Sequence, residues 1–156
     1  MRSSYRPIAA IAVTIALAVP TFAAAQRQHP AALGDLMTAF VQPRHIKLGL
    51  AGSAQNWLYA AYELDQLRET LADVSEILPK YRDLSIPGMI ESTVKAPLDA
   101  LSRAVQARDS NQFNAAYGQL TAACNTCHRN YDRTEIVIQT PAATEFSDQN
   151  FRPVTK

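Results

Sequence analysis

The chain has 156 residues, with 15 lysine and arginine side chains, 14 aspartate and glutamate side chains and a formal net charge of +1. This near balance lacks the basic excess that is typical of nucleic-acid-binding proteins, so we expect no nucleic-acid partner. The length suits one domain with a buried core.

The first 25 residues have the pattern of a secretory signal peptide. A short basic start precedes an almost entirely apolar run at 8–19, and small residues at 23–25 supply a cleavage point. The run is short for a membrane span and ends at Pro20. We therefore predict that residues 1–25 are removed and that the mature protein is periplasmic, without a membrane span. An uncleaved anchor is the alternative.

The first helix is predicted over residues 30–51. Pro43 should kink it, because proline lacks a backbone donor and crowds the preceding turn. Apolar residues at helical spacing define its inward face: Leu33, Met37, Phe40, Val41 and Leu48.

Three more helices follow. Ser53 is the predicted N-cap of the second helix, which runs to Pro79. The third spans 87–108 with a kink at Pro97, and the fourth begins near Asp109. Their inward faces carry Trp57, Ala61, Leu64, Leu67, Leu71, Val74 and Leu78; then Ile90, Val94, Leu98, Leu101 and Val105; then Phe113, Ala116, Tyr117, Leu120, Cys124, Cys127, His128 and Tyr131.

Four helices with short connections indicate an all-α, up-down-up-down four-helix bundle over residues 26–133. Residues 134–156 carry scattered apolar residues among prolines and polar side chains. They are predicted to form an irregular C-terminal tail.

The cysteine motif near the end of the fourth helix carries the chemistry. Cys124 and Cys127 are the only cysteines, and a disulfide between them would close too small a loop to stabilise the fold. On a helix, Cys124, Cys127 and His128 share one face, so both thiols can attach to one porphyrin edge. His128 can then ligate the iron, which predicts one covalently bound haem c.

Other uses of this motif stay open. A thioredoxin-like redox pair normally lies at the start of a helix that follows a strand. Structural zinc needs four ligands, so His29, His45 or a carboxylate would have to complete the set. Two inert core cysteines beside an unrelated histidine are the remaining interpretation.

With this motif near the end of its last helix, the chain resembles the class II cytochromes c, such as cytochrome c prime and the cytochromes c-556. The resemblance covers about residues 30–133 in architecture, and its specific match is confined to the last helix. It implies a four-helix bundle with haem attached at Cys124 and Cys127 and His128 as the proximal ligand. Tyr131 matches an aromatic residue three positions after the histidine.

The chain departs from this group in two respects. Asp132 stands where the cytochromes c prime usually carry a basic residue, and Arg133 follows one step later. This difference weakens any transfer of their gas-binding behaviour. The tail is also longer than is usual for the group, so additional chain could cover the haem.

The sixth iron position has three candidate states. His128 lies about 8 Å along the axis before the end of the fourth helix. Antiparallel packing brings that end beside the start of the first helix, so the sixth ligand should lie at the same distance into the first helix. Met37 is the potential ligand closest to that level, although methionines on apolar faces are more often core residues. His45, about 12 Å further along the helix, and an open five-coordinate iron are the alternatives.

These patterns predict that the protein transfers single electrons between periplasmic redox proteins. A homodimer is compatible with this function. No acid–base or nucleophilic constellation indicates an enzyme. The second hypothesis is the binding or sensing of a diatomic gas, NO or CO, at an open sixth position. A haem-free interaction bundle is the third.

Overall fold

A computed structural model describes residues 32–142 and 149–153, and it is mostly helical. The predicted signal peptide lies outside these residues. In chain order the elements are α1 (Leu33–Leu36), a π-helical segment (Met37–Val41), α2 (Gln42–Ser53), α3 (Trp57–Ile77), β1 (Lys80–Tyr81), β2 (Leu84–Ser85), α4 (Ile86–Thr93), α5 (Lys95–Ala107) and α6 (Ser110–Asn130). The predominance of helix in the described residues is compatible with the predicted all-α class.

The first helix is continuous through α1, the π-helical segment and α2, because Met37 and Gln42 at its internal junctions have right-handed helical backbone. The π-helical segment ends just before Pro43. Proline offers no N–H to the carbonyl of Ala39 and its ring crowds that carbonyl, so the wider turn relieves the conflict. The predicted start at residue 30 lies outside the described residues.

The predicted N-cap of the second helix is wrong. Ser53 is the last residue of α2, and Asn56 caps α3 by accepting a hydrogen bond from the Tyr59 N–H at 3.3 Å. Between them Gln55 takes a left-handed conformation, with φ of 57°. The reversal therefore uses three residues, and asparagine is as good a cap as serine.

The third predicted helix is divided into α4 and α5 at Val94. The break precedes Pro97 by three residues because the proline ring crowds the carbonyl of Thr93, four positions earlier. A short antiparallel hairpin, which the sequence analysis did not predict, precedes α4 and pairs Tyr81 with Leu84.

The core lies where α2 packs against α3 and α6, and where α5 packs against the same two helices. Two glycines set the closest approach between α2 and α6. A Cβ atom at Gly52 would overlap the ring of Phe113, and one at Gly49 would lie 2.6 Å from the ring of Tyr117. The α2 backbone therefore lies directly against aromatic side chains of α6.

We predict that Gly52→Ala lowers the free energy of unfolding by ~1–3 kcal/mol, because the added methyl group overpacks the contact with Phe113. Gly118→Ala, at an open position on α6 where a Cβ meets nothing within 4 Å, is the control. It should raise stability by ~0.5–1 kcal/mol through helix propensity. Urea unfolding of both variants measures the difference, and equal stabilisation by both alanines would contradict the close approach.

Candidate functional site

A cavity of about 190 Å³ lies between the first helix, α3, α4, the C-terminal half of α6 and the tail. Close-packed interiors contain few voids larger than a water molecule, so a space of this size is a feature of the fold. Its walls are mainly apolar. The fold therefore presents a site suited to a largely apolar ligand.

Both cysteines line this cavity from one face of α6, and neither is in a disulfide. Burial raises the pKa of the Cys124 thiol to about 12, and the neighbouring Cys127 adds to the effect. Burial also raises the pKa of Cys127. Both thiols are therefore protonated at neutral pH.

Thr93 connects Cys127 to α4. Its hydroxyl donates to the Met89 carbonyl at 2.7 Å, and its oxygen lies 3.2 Å from the Cys127 sulfur. Since the single hydroxyl proton serves the carbonyl, the thiol is the donor in the second contact. The hydrogen bond fixes the direction of the Cys127 side chain at the cavity wall.

His128 lines the cavity beside the cysteines, and its Nδ1 lies 2.7 Å from the backbone carbonyl of Ile136 in the tail. A carbonyl only accepts, so Nδ1 carries a proton, and in the neutral imidazole the lone pair is then on Nε2. Within the described residues, Nε2 has no hydrogen-bond partner. Histidines that bind metals commonly donate their other ring N–H to a backbone carbonyl, and the hydrogen bond between His128 and Ile136 has this form.

The tail is held in this position by Asn125 on α6. Its side-chain amide donates to the Ile138 carbonyl at 2.9 Å and accepts from the Ile138 N–H at 2.7 Å. This two-way pairing imitates a step of a β-ladder. It secures the residues that support His128.

Met37 lines the same cavity from the π-helical segment and is half-buried. The structure thus brings together Met37, Cys124, Cys127 and His128. The first and the last helix, whose expected antiparallel packing pointed to Met37, both line this cavity.

His45 also lines the cavity, but its ring is buried and both nitrogens are engaged. The Tyr117 hydroxyl donates to the His45 carbonyl at 2.7 Å, so Nδ1–H donates to the tyrosine oxygen at 3.0 Å. Nε2 lies 3.1 Å from the Thr121 hydroxyl oxygen, and the single proton of that hydroxyl has two acceptors within reach, this nitrogen and the Tyr117 carbonyl at 3.0 Å. Burial lowers the pKa of His45 to about 4, so the ring is neutral.

Sequence reasoning missed several residues of this site. Met89 lines the cavity from α4, and its sulfur accepts a hydrogen bond from the Asn130 amide at 3.4 Å. Tyr81 and Arg133 line it from the hairpin and from the residues after α6. For Met89, the only sequence signal was its position two residues after a proline. The hairpin had no sequence signal that would have placed Tyr81 at the site.

We predict that stability falls as the pH drops from 6.5 to 4, because the unfolded state protonates His45 at its ordinary pKa while the folded state resists protonation to about 4. The contribution of this residue is about 3 kcal/mol, present in full above pH 6.5 and lost towards pH 4. Urea unfolding across this range should show a shallower pH dependence for His45→Gln. Identical slopes for the variant and the wild type would contradict the buried neutral ring.

Within residues 32–142 and 149–153, no group of three or more His, Cys, Asp or Glu side chains is arranged to hold a metal ion. No helix in those ranges has the length and apolar character needed to cross a membrane. Comparison with protein-family models, curated proteins and solved structures finds no match to this chain.

Proposed function

We propose that the protein is a c-type cytochrome that carries single electrons. One observation carries this proposal: two protonated thiols and an imidazole with a free Nε2 line the same apolar cavity. The spacing of Cys124, Cys127 and His128 puts them on one face of α6. Beyond these three side chains, the described cavity wall offers no acid–base or nucleophilic pair that would suggest turnover of a substrate.

The residues fit a haem. Cys124 and Cys127 would hold it through thioether bonds, and His128 would ligate its iron through Nε2. The apolar walls suit the flat macrocycle and limit the access of water. When bound, haem supplies a ferric–ferrous couple whose potential depends on axial ligands and burial.

The raised pKa values of both thiols oppose a thioredoxin-like function. Such enzymes require a cysteine of lowered pKa near the start of a helix, where the helix dipole stabilises the thiolate. Cys124 and Cys127 instead lie in the second half of α6, in apolar surroundings. Thioether attachment is the use that agrees with this position.

We also propose that the helices form an up-down-up-down four-helix bundle of the class II cytochrome c kind. The contacts of α2 with α3 and α6, and of α5 with α3 and α6, support this arrangement. The connection at residues 54–56 and that at 108–109 are short, which favours antiparallel neighbours.

For the sixth iron position we propose Met37. Both ring nitrogens of His45 lie within hydrogen-bond distance of a buried hydroxyl group, that of Tyr117 at 3.0 Å and that of Thr121 at 3.1 Å. The sulfur of Met89 already accepts from Asn130, whereas that of Met37 has no hydrogen bond within the described residues. Histidine–methionine ligation raises the potential and suits electron transfer.

The cellular setting follows from the proposed signal peptide. Thioether attachment in an exported chain implies a periplasmic electron carrier, with other redox proteins as partners. A homodimer is compatible with this function. Binding of NO or CO is the second candidate function, and it requires that no protein ligand occupies the sixth position.

We predict that the protein made with c-type maturation machinery retains its colour through acid–acetone extraction and gives a c-type haem spectrum. The double variant Cys124→Ser and Cys127→Ser should lose all covalently bound haem. Thr126→Ala, between the two cysteines, is the control and should keep it. Extractable haem in the wild type, or no haem at all, would contradict the proposal.

We predict that Met37→Ala converts low-spin ferric iron to high-spin iron and opens the ferrous protein to carbon monoxide. Met89→Ala, a methionine of the same cavity, is the matched control and should stay low-spin, as should His45→Gln. Absorption spectra and gas titration measure both properties. Conversion by one of the control variants would assign the ligand there instead, and a wild type that is already high-spin would favour gas binding.

A further inference from the structure

Arg133 is an exception in the cavity wall. Among the described residues that line the cavity, it is the only one with a permanent charge, and none carries a carboxylate. Its side chain is half-buried. A guanidinium at an apolar surface loses hydration, which is costly unless an anion or several acceptors compensate it.

The end of α6 fixes the backbone of Arg133 relative to His128. Asp132 takes a left-handed conformation, with φ of 53°. Its N–H donates to the Arg129 carbonyl at 3.2 Å, and the Arg133 N–H donates to the His128 carbonyl at 2.7 Å. These two bonds form a Schellman motif, the compact helix ending in which a left-handed residue reverses the chain.

The guanidinium is held at the cavity wall by Tyr81. One Nη donates to the Tyr81 hydroxyl at 2.8 Å, and the other donates to the Asp132 carbonyl at 3.0 Å. The Tyr81 ring in turn packs edge-on against Tyr131, at 5.7 Å between centroids. Arginine has five N–H donors, so several remain for a ligand.

No carboxylate neutralises this cation within the described residues. The ion pairs there are Arg44–Glu63, Arg68–Asp99, Arg82–Asp132 and Lys95–Glu91. Asp132 precedes Arg133 in sequence, but its carboxylate pairs with Arg82, at 2.9 Å. The positive charge of Arg133 is therefore available to a ligand in the cavity.

We infer that Arg133 binds a carboxylate side chain of the haem. This inference rests on the proposed function. Haem carries two carboxylates on an otherwise apolar macrocycle, and a cation with free planar donors in an apolar wall complements them. The pairing would fix the orientation of the haem edge and neutralise the negative charge of that carboxylate.

The test uses the holoprotein with covalently attached haem, as wild type, Arg133→Gln, Arg133→Lys and Arg129→Gln. Arg129 is the control, since it is exposed, bonds the Thr126 hydroxyl and does not line the cavity. Resonance Raman spectra report the bending mode of the haem carboxylates, and electrochemical titration gives the midpoint potential. Only Arg133→Gln should shift the Raman band and lower the potential, and lysine should restore the potential.

A second variant guards against misfolding of Arg133→Gln. Tyr81→Phe keeps the charge but removes the hydroxyl that positions it, so it should shift the Raman band in the same direction and to a smaller extent. Attached haem with wild-type spectra and potential in both variants would overturn the inference alone. An equal shift in Arg129→Gln would also overturn it, because a general charge effect would then explain the result. A wild type without covalent haem would overturn the proposed function, and this inference with it.

Discussion

The close approach of α2 and α6 at one end determines the space between them at the other. Gly49 and Gly52 bring the α2 backbone against the rings of Tyr117 and Phe113, where a side chain would not fit. Towards the start of α2 and the end of α6, the same two helices line the cavity. His45 lies at the transition, and its hydrogen bonds to α6 complete a polar network without unsatisfied buried side-chain atoms in the described residues. A satisfied hydrogen-bond network of this kind is rigid, so the part of the cavity wall formed by His45 is held in place.

The sequence predicted which segments are helical better than where the helices end. Apolar spacing of three and four residues identifies a buried face, and the inward residues of the last helix are mostly buried as expected. The prediction for Phe40 is wrong, because this residue lies in the π-helical segment, where the wider turn changes the helical phase, and it is 57% exposed. Ends depend on competition between local signals. Ser53 and Asn56 are comparable N-cap residues. The left-handed conformation of Gln55 reverses the chain between them, so Asn56 caps the next helix. Pro97 was correctly identified as a disturbance, but its steric effect acts four residues upstream, so the helix breaks at Val94.

Within one helix the residues of the candidate site were predictable from spacing, and Met37 was placed in the cavity by the expected packing of the first helix beside the last. Cys124, Cys127 and His128 are neighbours through helical geometry alone, so their spacing was sufficient. The support of His128 by Ile136 required a path of the tail that no periodic pattern encodes, because irregular chain is positioned by single contacts such as the amide pairing of Asn125. The cavity wall contributed by α4 and the hairpin depends on the packing of all the helices.

The cavity also connects the proposed function to stability. The apolar walls of the cavity lack the packing contacts that a close-packed core provides, which costs stability. A domain is stable by only ~5–15 kcal/mol, so such losses matter. A haem that fills the space would restore the missing contacts, and the thioethers would prevent its loss even when the helices fluctuate. Under the proposed function, covalent attachment would make the haem a permanent part of the core, whereas a reversibly bound ligand could dissociate.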